Sequence, residues 1–439
     1  MNSAREHLLR IYQQALAAVQ GDVCTRTALS ASGLKGPLAV IAIGKAAQSM
    51  MQGALETYGE QLVSGLIISK TGHLSRKNQD SDFPTNYVAT LDDSRLSSME
   101  AGHPIPDERS LQAGLALLSF MEKQSAQTGF VFLISGGASA LVEVLPQNMT
   151  LAQLQRLNQW LLSSGLDIHD MNRVRRAFSC IKGGRLAAYL QGRRALCLMI
   201  SDVPGDLPHI IGSGLLFSPE TDSRQVALGE GVYQDGVAST STFPGIDVPP
   251  WVNQLPLACP VPLRDACCFK GVKAIIVATL EEAKQAAIDE AISLGYAVIR
   301  HDDMVTGDAQ TVGQQLAQEL LAGPPGVHVW GGETTVSLPD VPGQGGRNQH
   351  LALAAAKVIA GHAGHFFMSV GTDGTDGPTM DAGALVDAET IERAKNHHFD
   401  ALVTLKNADS GRFLRASGDV IRTGPTGTNV MDLMLGLKL

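Results

Sequence analysis

The chain has 439 residues, more than one hydrophobic core usually supports, so we expect two domains. Apolar residues make up 44% and charged residues 18%, which is typical of a globular protein and excludes disordered and fibrous classes. The net charge of -9 and the lack of a basic run argue against a nucleic acid partner. The apolar runs are too short for a membrane-spanning helix, and the six scattered cysteines indicate the reduced thiols of a cytoplasmic protein.

The first 21 residues predict an amphipathic helix rather than a signal peptide. Charges interrupt this segment, and Leu8, Ile11 and Leu16 recur near helical spacing. Four short apolar runs follow, and they are typical of strands buried on both faces of a parallel sheet. Helical segments separate these runs, and Thr150 is suited to begin one helix while Gly59 is suited to end another. The predicted strands cover residues 38–44, 62–69, 130–135 and 195–201.

A proline-rich stretch between Phe217 and Cys268 interrupts this pattern and marks the best domain boundary. Regular alternation of strands and helices resumes after it. We therefore predict an α/β fold of two three-layer domains with largely parallel sheets, covering residues 1–255 and 256–439, with a cleft between them. In the second half, the predicted strands are 272–279, 296–300, 327–332 and 365–370, and the predicted helices are 281–295, 309–323 and 348–361.

Glycine and polar residues gather where the predicted strands end, which is the edge where open α/β sheets bind ligands. The loop SGGASA can form a nest of backbone N–H groups for a phosphate, or it is a tight turn between strand and helix. Lys45 directly follows a buried strand, where a long cation is either solvated or meets an anionic ligand. Five loops of this kind cover residues 43–47, 135–140, 201–206, 331–336 and 371–377.

Carboxylates and cations in these loops suit phosphate chemistry, although each has an ordinary structural alternative. Asp202 can act as a general base or a metal ligand, and the nearby Asp206 can do the same or cap a helix. Arg347 can contact phosphate or carboxylate through two N–H groups, or lie on the surface, and Glu333 has the same ambiguity between site and turn. Asp373 and Asp376 supply the hard oxygens that Mg²⁺ prefers, or else they form Asx turns.

A basic segment from Asp170 to Gly192 places Arg175 and Lys182 seven residues apart, on one side of a predicted helix. This pair suits a small carboxylate or a transferring phosphate, and a solvated helix face is the alternative. We interpret His103 and His169 as structural histidines.

Several standard catalytic motifs are absent from the sequence. The P-loop pattern fails because Ala46 follows Lys45, and the protein-kinase motifs are missing. The dinucleotide fingerprint after a strand is missing too, which weakens a nicotinamide-dependent function. Neither a serine-hydrolase elbow nor a zinc motif occurs.

Taken together, the loops resemble the glycerate kinase family with a C-terminal MOFRL module, a family historically also labelled hydroxypyruvate reductase. Each motif is weak alone, but nine of them occur in the family's order. They are AIGKAA (42–47), GHPIPDERS (102–110), SGGASAL (135–141), IKGGRLA (181–187), SDVPGD (201–206), GGETTV (331–336), GGRNQ (345–349), GTDGTDGPT (371–379) and TGPTGTNVMDL (423–433).

The resemblance implies ATP-dependent, Mg²⁺-assisted phosphorylation of D-glycerate, giving 2-phosphoglycerate in a site between the domains. It gives catalytic roles to Lys45, Asp202 and Arg347. Glycerate and ATP are the expected partners, and a homodimer is considered as the assembly. We hypothesise that Ser135, Gly136, Gly137, Ser139 and Glu333 bind the nucleotide, that Arg175 and Lys182 bind the glycerate carboxylate, and that Asp373 and Asp376 hold Mg²⁺.

The chain departs from the family pattern at two places. Leu215 and Leu216 stand where the family commonly has Pro-Thr, and Met431 replaces a more usual Asn, so local ligand contacts are affected. Two other functions remain open. One is an oxidoreductase that acts on hydroxypyruvate, and the other is a non-catalytic sensor of sugar acids or nucleotides.

Overall fold

The computed structural model describes residues 2–74, 91, 93–218, 243, 245–263 and 266–439, so part of the proline-rich stretch lies outside it. Packing divides these residues into two compact units. The N-terminal unit holds the described part of residues 21–277, and the C-terminal unit holds residues 2–20 and 278–439. The domain boundary predicted between residues 255 and 256 stays a prediction.

The N-terminal unit contains, in its described residues, a six-stranded sheet. Its strands are β1 (Leu38–Ile43), β2 (Leu62–Lys70), β3 (Leu96–Ala101), β4 (Gly129–Ile134), β5 (Ala195–Ile200) and β6 (Val272–Ala278), in the order β3-β2-β1-β4-β5-β6. The pairs β1–β2, β1–β4, β2–β3 and β4–β5 are parallel, as predicted. The sequence analysis missed β3, because this edge strand is polar and largely exposed and so lacks the apolar signal of its neighbours.

Strand β6 belongs to the sheet of the N-terminal unit, although the sequence analysis grouped residues 272–279 with the second half. The backbone N–H of Ala195 at the start of β5 donates to the Gly271 carbonyl at 3.0 Å. Prolines mark a loop, but they do not reveal which sheet accepts the next strand. The grouping of this strand was therefore wrong.

Helices cover the sheet of the N-terminal unit, and two predicted helix ends are confirmed. The Thr150 side chain accepts a hydrogen bond from the Gln153 backbone N–H and begins a helix. Another helix ends at Tyr58, where the Gly59 N–H donates to the Leu55 carbonyl. The helices are α2 (Gly21–Ser32), α3 (Ala47–Tyr58), α4 (Glu108–Glu122), α5 (Ala138–Leu141), α6 (Leu151–Ser163) and α7 (Ile168–Ala177).

The C-terminal unit has its own sheet, which shows six strands in the described residues. They are β7 (Val298–Asp308), β8 (Gly326–Thr335), β9 (His365–Gly371), β10 (Gly383–Asp387), β11 (Val420–Ile421) and β12 (Asp432–Lys438), in the order β11-β10-β9-β12-β8-β7. In this sheet β7 and β8 are parallel, while the other four described pairs are antiparallel. The α/β fold class is confirmed, but the prediction of a largely parallel sheet is wrong here. One reason is that β12, unrecognised in the sequence, inserts antiparallel between β8 and β9, and another is that β10 pairs antiparallel with β9 and with β11.

The first helix of the chain packs in the C-terminal unit, where Leu8 and Ile11 are fully buried, so the predicted amphipathic helix is confirmed. Within the described ranges, none of the helices is both long and apolar enough to cross a membrane. The helices of this unit are α1 (Asn2–Ala18), α8 (Leu280–Ser293), α9 (Ala309–Ala322), α10 (Arg347–Ile359), α11 (Thr390–Lys395), α12 (Ala401–Lys406) and α13 (Ser410–Ser417).

Candidate functional site

The strand order of the N-terminal unit reverses between β1 and β4, because the chain adds β2 and β3 on one side and β5 on the other. Ligands of open α/β sheets bind at such a reversal, beyond the carboxyl ends of the strands. Lys45 follows β1 and Gly136 follows β4, and the Lys45 backbone N–H donates to the Gly136 carbonyl at 2.9 Å. The fold therefore brings these two predicted loops together at the switch point.

Asp202 lies at the same edge of this sheet. Ile134 at the end of β4 pairs with Met199 of β5, and Asp202 follows the last residue of β5 by two positions. The carboxyl ends of parallel strands meet at one edge, so the Asp202 backbone is positioned beside the SGGASA loop. This convergence is what the sequence analysis predicted for the loops of this unit.

Ser135 holds the Lys45 loop in place. Its buried hydroxyl accepts a hydrogen bond from the Ala46 backbone N–H at 3.0 Å, at the start of α3. Gly44 has a φ of 132°, and a Cβ there would lie 2.2 Å from the Ser135 oxygen, so only glycine fits. The structure gives Ser135 a structural role, and its predicted contact with a nucleotide stays a prediction.

A chain of hydroxyl and amide groups fixes Ser139. The Asn172 amide donates to the Ile210 carbonyl at 3.3 Å, which leaves its oxygen to accept from the Ser213 hydroxyl at 2.7 Å. Because the Ser213 proton is used in this way, Ser139 is the donor in its 2.7 Å contact with Ser213. In this network Ser139 therefore keeps lone pairs for a ligand, but its proton is engaged.

Two leucines that depart from the family pattern and one histidine lie near this network. Leu215 and Leu216 are buried in the core of the N-terminal unit, next to the loop that carries Ser213. The His103 imidazole packs against Gly137, which begins α5 in a left-handed conformation. His103 thus lies beside the SGGASA loop, although the sequence analysis interpreted it as structural.

Arg175 is a partly buried cation on α7, and it makes no hydrogen bond or ion pair with an acceptor among the described residues. Burial lowers the pKa of Arg175 to about 10, and no nearby carboxylate opposes this effect. A partly buried guanidinium is most stable when an anionic ligand compensates its charge and accepts its hydrogen bonds. This geometry suits the predicted binding of a small carboxylate.

Lys182, the other predicted carboxylate ligand, is in a different state. It forms a buried ion pair with Glu143, and both side chains are 2% exposed. Ser179 donates to the same carboxylate at 2.5 Å. Burial lowers the pKa of Lys182, Glu143 opposes this, and the nearby Arg175 adds to the lowering. Lys182 is thus already neutralised, and its predicted contact with substrate stays a prediction.

Arg347, the first residue of α10, is held by two carboxylates of the C-terminal unit. Its Nε and Nη2 donate to the two oxygens of Asp432 at 2.5 and 3.1 Å, and its Nη1 lies 2.7 Å from Glu333 Oε1. Burial alone would lower the pKa of Arg347, but Asp432 and Glu333 outweigh it and raise the pKa above its ordinary value. Arg347 therefore stays charged at any pH of interest.

The sheet explains why Asp432 can reach Arg347. Asp432 begins β12, where it is paired with Gly332 of β8 on one side and Gly371 of β9 on the other. Two glycines as cross-strand neighbours leave the space that side chains normally fill. Asp432 is 1% exposed, so its charge is compensated almost entirely by Arg347.

The GTDGTDG loop follows β9, and a tyrosine of α1 supports its start. The buried Tyr12 hydroxyl donates to the Gly371 carbonyl at 2.8 Å. Burial raises the pKa of Tyr12, and the carboxylates of Asp373 and Asp432 raise it further, so both acids lie close to this phenol. Asp373 accepts from the Thr375 backbone N–H at 2.9 Å, which is the Asx-turn alternative.

Asp376 caps α10, the helix that begins with Arg347. Its two oxygens accept from the backbone N–H groups of Asn348 at 3.0 Å and Gln349 at 2.7 Å. A Cβ at Gly346 would lie 2.3 Å from Asp376 Oδ1, so this approach requires glycine. Burial raises the pKa of Asp376 to about 7, although these N–H groups and Arg347 oppose the shift.

Comparisons with known proteins agree with the motifs. The family described as "Domain of unknown function (DUF4147)" matches residues 7–229, and the MOFRL family matches residues 326–432. The D-glycerate 2-kinase of Thermotoga maritima is 31% identical over 446 residues, which cover 99% of this chain and 98% of that relative. The chain belongs to the MOFRL-type glycerate kinase family. The predicted resemblance is therefore confirmed.

Other members of the glycerate kinase family support the same conclusion. The glycerate 2-kinase of Pyrococcus horikoshii is 31% identical, with 92% of this chain and 88% of that relative covered. The crystal structure of a glycerate kinase from Thermotoga maritima has a TM-score of 0.76 and 29% identity, and the match covers 100% of both chains. The fold of the whole chain is thus that of this kinase family.

The predicted magnesium ligands do not fit a shared metal site in this arrangement. Both oxygens of the buried Asp376 already accept helix N–H groups, and one oxygen of Asp373 accepts a loop N–H. Across the described ranges, no group of three His, Cys, Asp or Glu side chains could hold a metal ion. Asp376 thus acts as a helix cap in the structure, and no chemical step is derived through a metal on this pair.

Three partners of the predicted residues were missed by the sequence analysis. Glu143 neutralises Lys182, Asp432 holds Arg347, and Ser213 accepts from Ser139. Asp432 lies within the motif TGPTGTNVMDL, whereas Glu143 lies two residues beyond SGGASAL. For Asp432, a carboxylate inside a motif was therefore a usable signal, although the sequence could not show which cation it meets.

Proposed function

We propose that this protein is an ATP-dependent kinase that transfers the γ-phosphoryl group to the 2-hydroxyl of D-glycerate and forms 2-phosphoglycerate. The observation that supports it most directly is the meeting of the Lys45 loop and the SGGASA loop at the switch point of the parallel sheet. Relatives named glycerate 2-kinase, aligned over nearly the whole chain, give the substrate and the reaction class.

Phosphoryl transfer depends mainly on positioning and on compensation of negative charge, because the transferred group spreads charge over its oxygens. In our proposal the Lys45 ammonium group contacts the transferring phosphoryl group, beside the backbone of Gly136 and Gly137. Asp202 orients the glycerate hydroxyl and accepts its proton as the new bond to phosphorus forms. A Mg²⁺ ion carried in with the triphosphate would supply further charge compensation, and the proposal assigns no residue of this chain to hold it.

Arg175 holds the glycerate carboxylate in this proposal. Its guanidinium lacks a described acceptor, whereas the neighbouring cation Lys182 is already paired with Glu143. A carboxylate presents two oxygens to the planar N–H fork of an arginine, so it orients the substrate as well as attracting it. The buried pair of Lys182 and Glu143 then serves as a rigid support for the segment that carries Arg175.

Arg347 compensates phosphate charge in the proposal, and its two carboxylate partners have different tasks. Asp432 is buried and fixes the guanidinium plane, whereas Glu333 is 45% exposed and contacts the outer Nη1. A phosphate oxygen that approaches Nη1 competes with Glu333 for this end of the guanidinium. In the proposal Glu333 is therefore the exchangeable counter-ion of Arg347, while Asp432 is its fixed support.

The test is the replacement of Lys45 by Met, with Lys123→Met on the exposed surface as the matched control. We expect turnover of D-glycerate and ATP to fall on the order of 10²- to 10³-fold in Lys45→Met, as for the loss of one preorganised electrostatic donor. Lys123→Met should keep full activity. Near wild-type turnover in Lys45→Met would remove this lysine from the mechanism.

Two further assays separate the alternatives. Oxidation of NADH with hydroxypyruvate, and no consumption of ATP with glycerate, would indicate a reductase. Binding of glycerate or ATP without production of ADP would indicate a sensor. The kinase proposal expects ADP and a phosphorylated acid in equal amounts.

A further inference from the structure

Arg176 on α7 is a buried cation that has no role in the mechanism above. The residue is 5% exposed, and its Nη1 atom is buried without a hydrogen-bond partner. Its guanidinium makes no hydrogen bond or ion pair with the part of the chain that the structure describes. A guanidinium carries five N–H groups, and burying a charge with unpaired donors costs free energy. The fold of the N-terminal unit thus leaves this cation uncompensated.

Two arginines whose charges act on Arg176 have acceptors of their own. Arg173 Nη1 lies 3.0 Å from Asp170. Arg185 donates from Nε to the Cys259 carbonyl and from Nη1 to the Arg176 carbonyl, both at 2.8 Å. Arg176 differs from them, because it contributes its backbone carbonyl to this network and not its guanidinium.

The electrostatic surroundings of Arg176 favour an anion. Burial lowers the pKa of Arg176 to about 10, and the charges of Arg173 and Arg185 lower it further. Among the described residues, no carboxylate raises this pKa in compensation. A buried cation that meets like charges is stabilised when an anion enters, since an anion supplies both the opposite charge and the missing acceptor.

The side chain of Arg176 lies apart from that of Arg175, although the two residues are adjacent in α7. Consecutive side chains of an α-helix point about 100° apart. The charge of Arg175 lowers the pKa of Lys182, but it is not among the charges that shift the pKa of Arg176. The Arg176 side chain instead packs at Gly183, where a Cβ would lie 3.1 Å from Arg176 Cδ. An anion at Arg176 is therefore distinct from the carboxylate that we assign to Arg175.

We propose that Arg176 binds a small inorganic anion, of about the size of chloride, inside the N-terminal unit. The enclosed side chain suits a monatomic anion better than a nucleotide or an organic acid. A singly charged ion also loses its water at a lower cost than phosphate does, and the guanidinium is itself weakly hydrated. The bound anion accepts the unpaired N–H groups and stabilises α7. The proposal does not depend on the kinase activity.

The test is thermal unfolding of the full chain at constant ionic strength, while sodium chloride replaces sodium gluconate. Gluconate is a bulky organic anion that does not fit an enclosed site. Arg176→Met removes the charge and keeps an apolar stem, and Arg175→Met asks whether the anion belongs to the neighbouring arginine. Lys123→Met, on the exposed surface of the same unit, is the control. Circular dichroism verifies that each variant is folded.

We expect chloride to raise the unfolding midpoint by about 2 °C or more in the wild type, in Lys123→Met and in Arg175→Met, and to leave that of Arg176→Met unchanged. In gluconate alone, Arg176→Met should be at least as stable as the wild type, because it lacks the uncompensated charge. An equal chloride effect in the wild type and in Arg176→Met would overturn the proposal. A chloride effect that is lost in Arg175→Met and kept in Arg176→Met would overturn it as well.

The line width of the ³⁵Cl NMR signal measures chloride binding directly and needs no variant. We expect the wild type to broaden this signal, the broadening to saturate with chloride, and an excess of D-glycerate to leave it in place. No excess broadening would contradict the proposal, and broadening that D-glycerate abolishes would assign the anion to Arg175 instead. Since both readouts report binding, a failure of the kinase assignment would leave them readable.

Discussion

Asp432 at the start of β12 fixes Arg347 at the start of α10 through two hydrogen bonds of 2.5 and 3.1 Å. The two residues are 85 positions apart in the chain, and the contact is possible because two glycines flank Asp432 in the sheet. Arginine presents a planar fork, so a bidentate carboxylate determines the direction in which the remaining N–H groups point. The sheet fixes Asp432, and Asp432 in turn fixes the orientation of the Arg347 guanidinium.

Asp432→Asn should lower turnover of the kinase on the order of 10²- to 10³-fold, because Arg347 loses its fixed orientation and its charge partner. The Michaelis constant for D-glycerate should change little if Arg347 acts on the phosphoryl group. Steady-state kinetics with thermal unfolding in parallel checks this, and the exposed Asp340→Asn is the control. Full turnover in a stably folded Asp432→Asn variant would show that the orientation of Arg347 has no importance.

Glu333→Gln should lower the Michaelis constant for ATP several-fold, because the neutral amide competes less well than a carboxylate for the outer N–H of Arg347. The effect should shrink at high ionic strength, since Glu333 is 45% exposed and its charge is screened. Kinetics at low and at high salt checks both points. A higher Michaelis constant for ATP would instead mean that Glu333 binds the nucleotide directly, as the sequence analysis hypothesised.

Arg175→Gln should raise the Michaelis constant for D-glycerate by about tenfold or more, through loss of a charge-assisted contact to the substrate carboxylate. The constant for ATP should stay near its wild-type value. Arg173→Gln is the matched control, because Arg173 lies on the same helix and is paired with Asp170 at 3.0 Å. Equal effects of the two substitutions on glycerate would argue against a specific role of Arg175.

The raised pKa of Asp376 predicts that the stability of the protein depends on pH. The folded state keeps its proton up to about pH 7, whereas an unfolded chain loses it near the ordinary carboxyl pKa of about 4. Between these values the folded state binds more protons, so the stability contributed by this group falls as the pH rises. The expected slope is at most about 1.4 kcal/mol per pH unit.

Asp376→Asn removes this titration, so the difference in free energy of unfolding between wild type and variant should change steadily from pH 4.5 to 7.5. As the pH rises over this range, the wild type should lose stability relative to the variant. Denaturant unfolding at four pH values measures it, with the exposed Asp340→Asn as the control. A difference that does not vary with pH would contradict the protonated, buried Asp376.

The sequence predicted the parts of the fold that depend on local patterns. Short apolar runs such as residues 38–44 and 130–135 predicted the central strands of the N-terminal sheet, because a strand buried on both faces needs an apolar side chain at every position. The loops of Lys45 and Gly136 could be placed at one edge from the parallel arrangement alone. The two-residue strand β11 carried no comparable signal, whereas β12 is an apolar run that the sequence analysis did not assign to a strand.

The roles of the charged residues were harder to predict, since they depend on partners that are distant in the chain. Asp376 was expected to hold a cation, but the backbone N–H groups of residues 348 and 349 occupy it. Lys182 was expected to bind substrate, but Glu143 lies against it in the core. An aspartate or a lysine reads the same in the sequence whether it belongs to a helix cap, a buried pair or an active site, so the sequence alone does not separate these roles.

The central claim is that this chain phosphorylates D-glycerate at the 2-hydroxyl with ATP. The most direct measurement incubates the protein with ATP, Mg²⁺ and each enantiomer of glycerate, and identifies the products by ³¹P and ¹³C NMR. We predict 2-phosphoglycerate and ADP in equal amounts from D-glycerate, with little product from the L-enantiomer. Phosphate on the 3-hydroxyl, or no phosphorylated acid from either enantiomer, would contradict it.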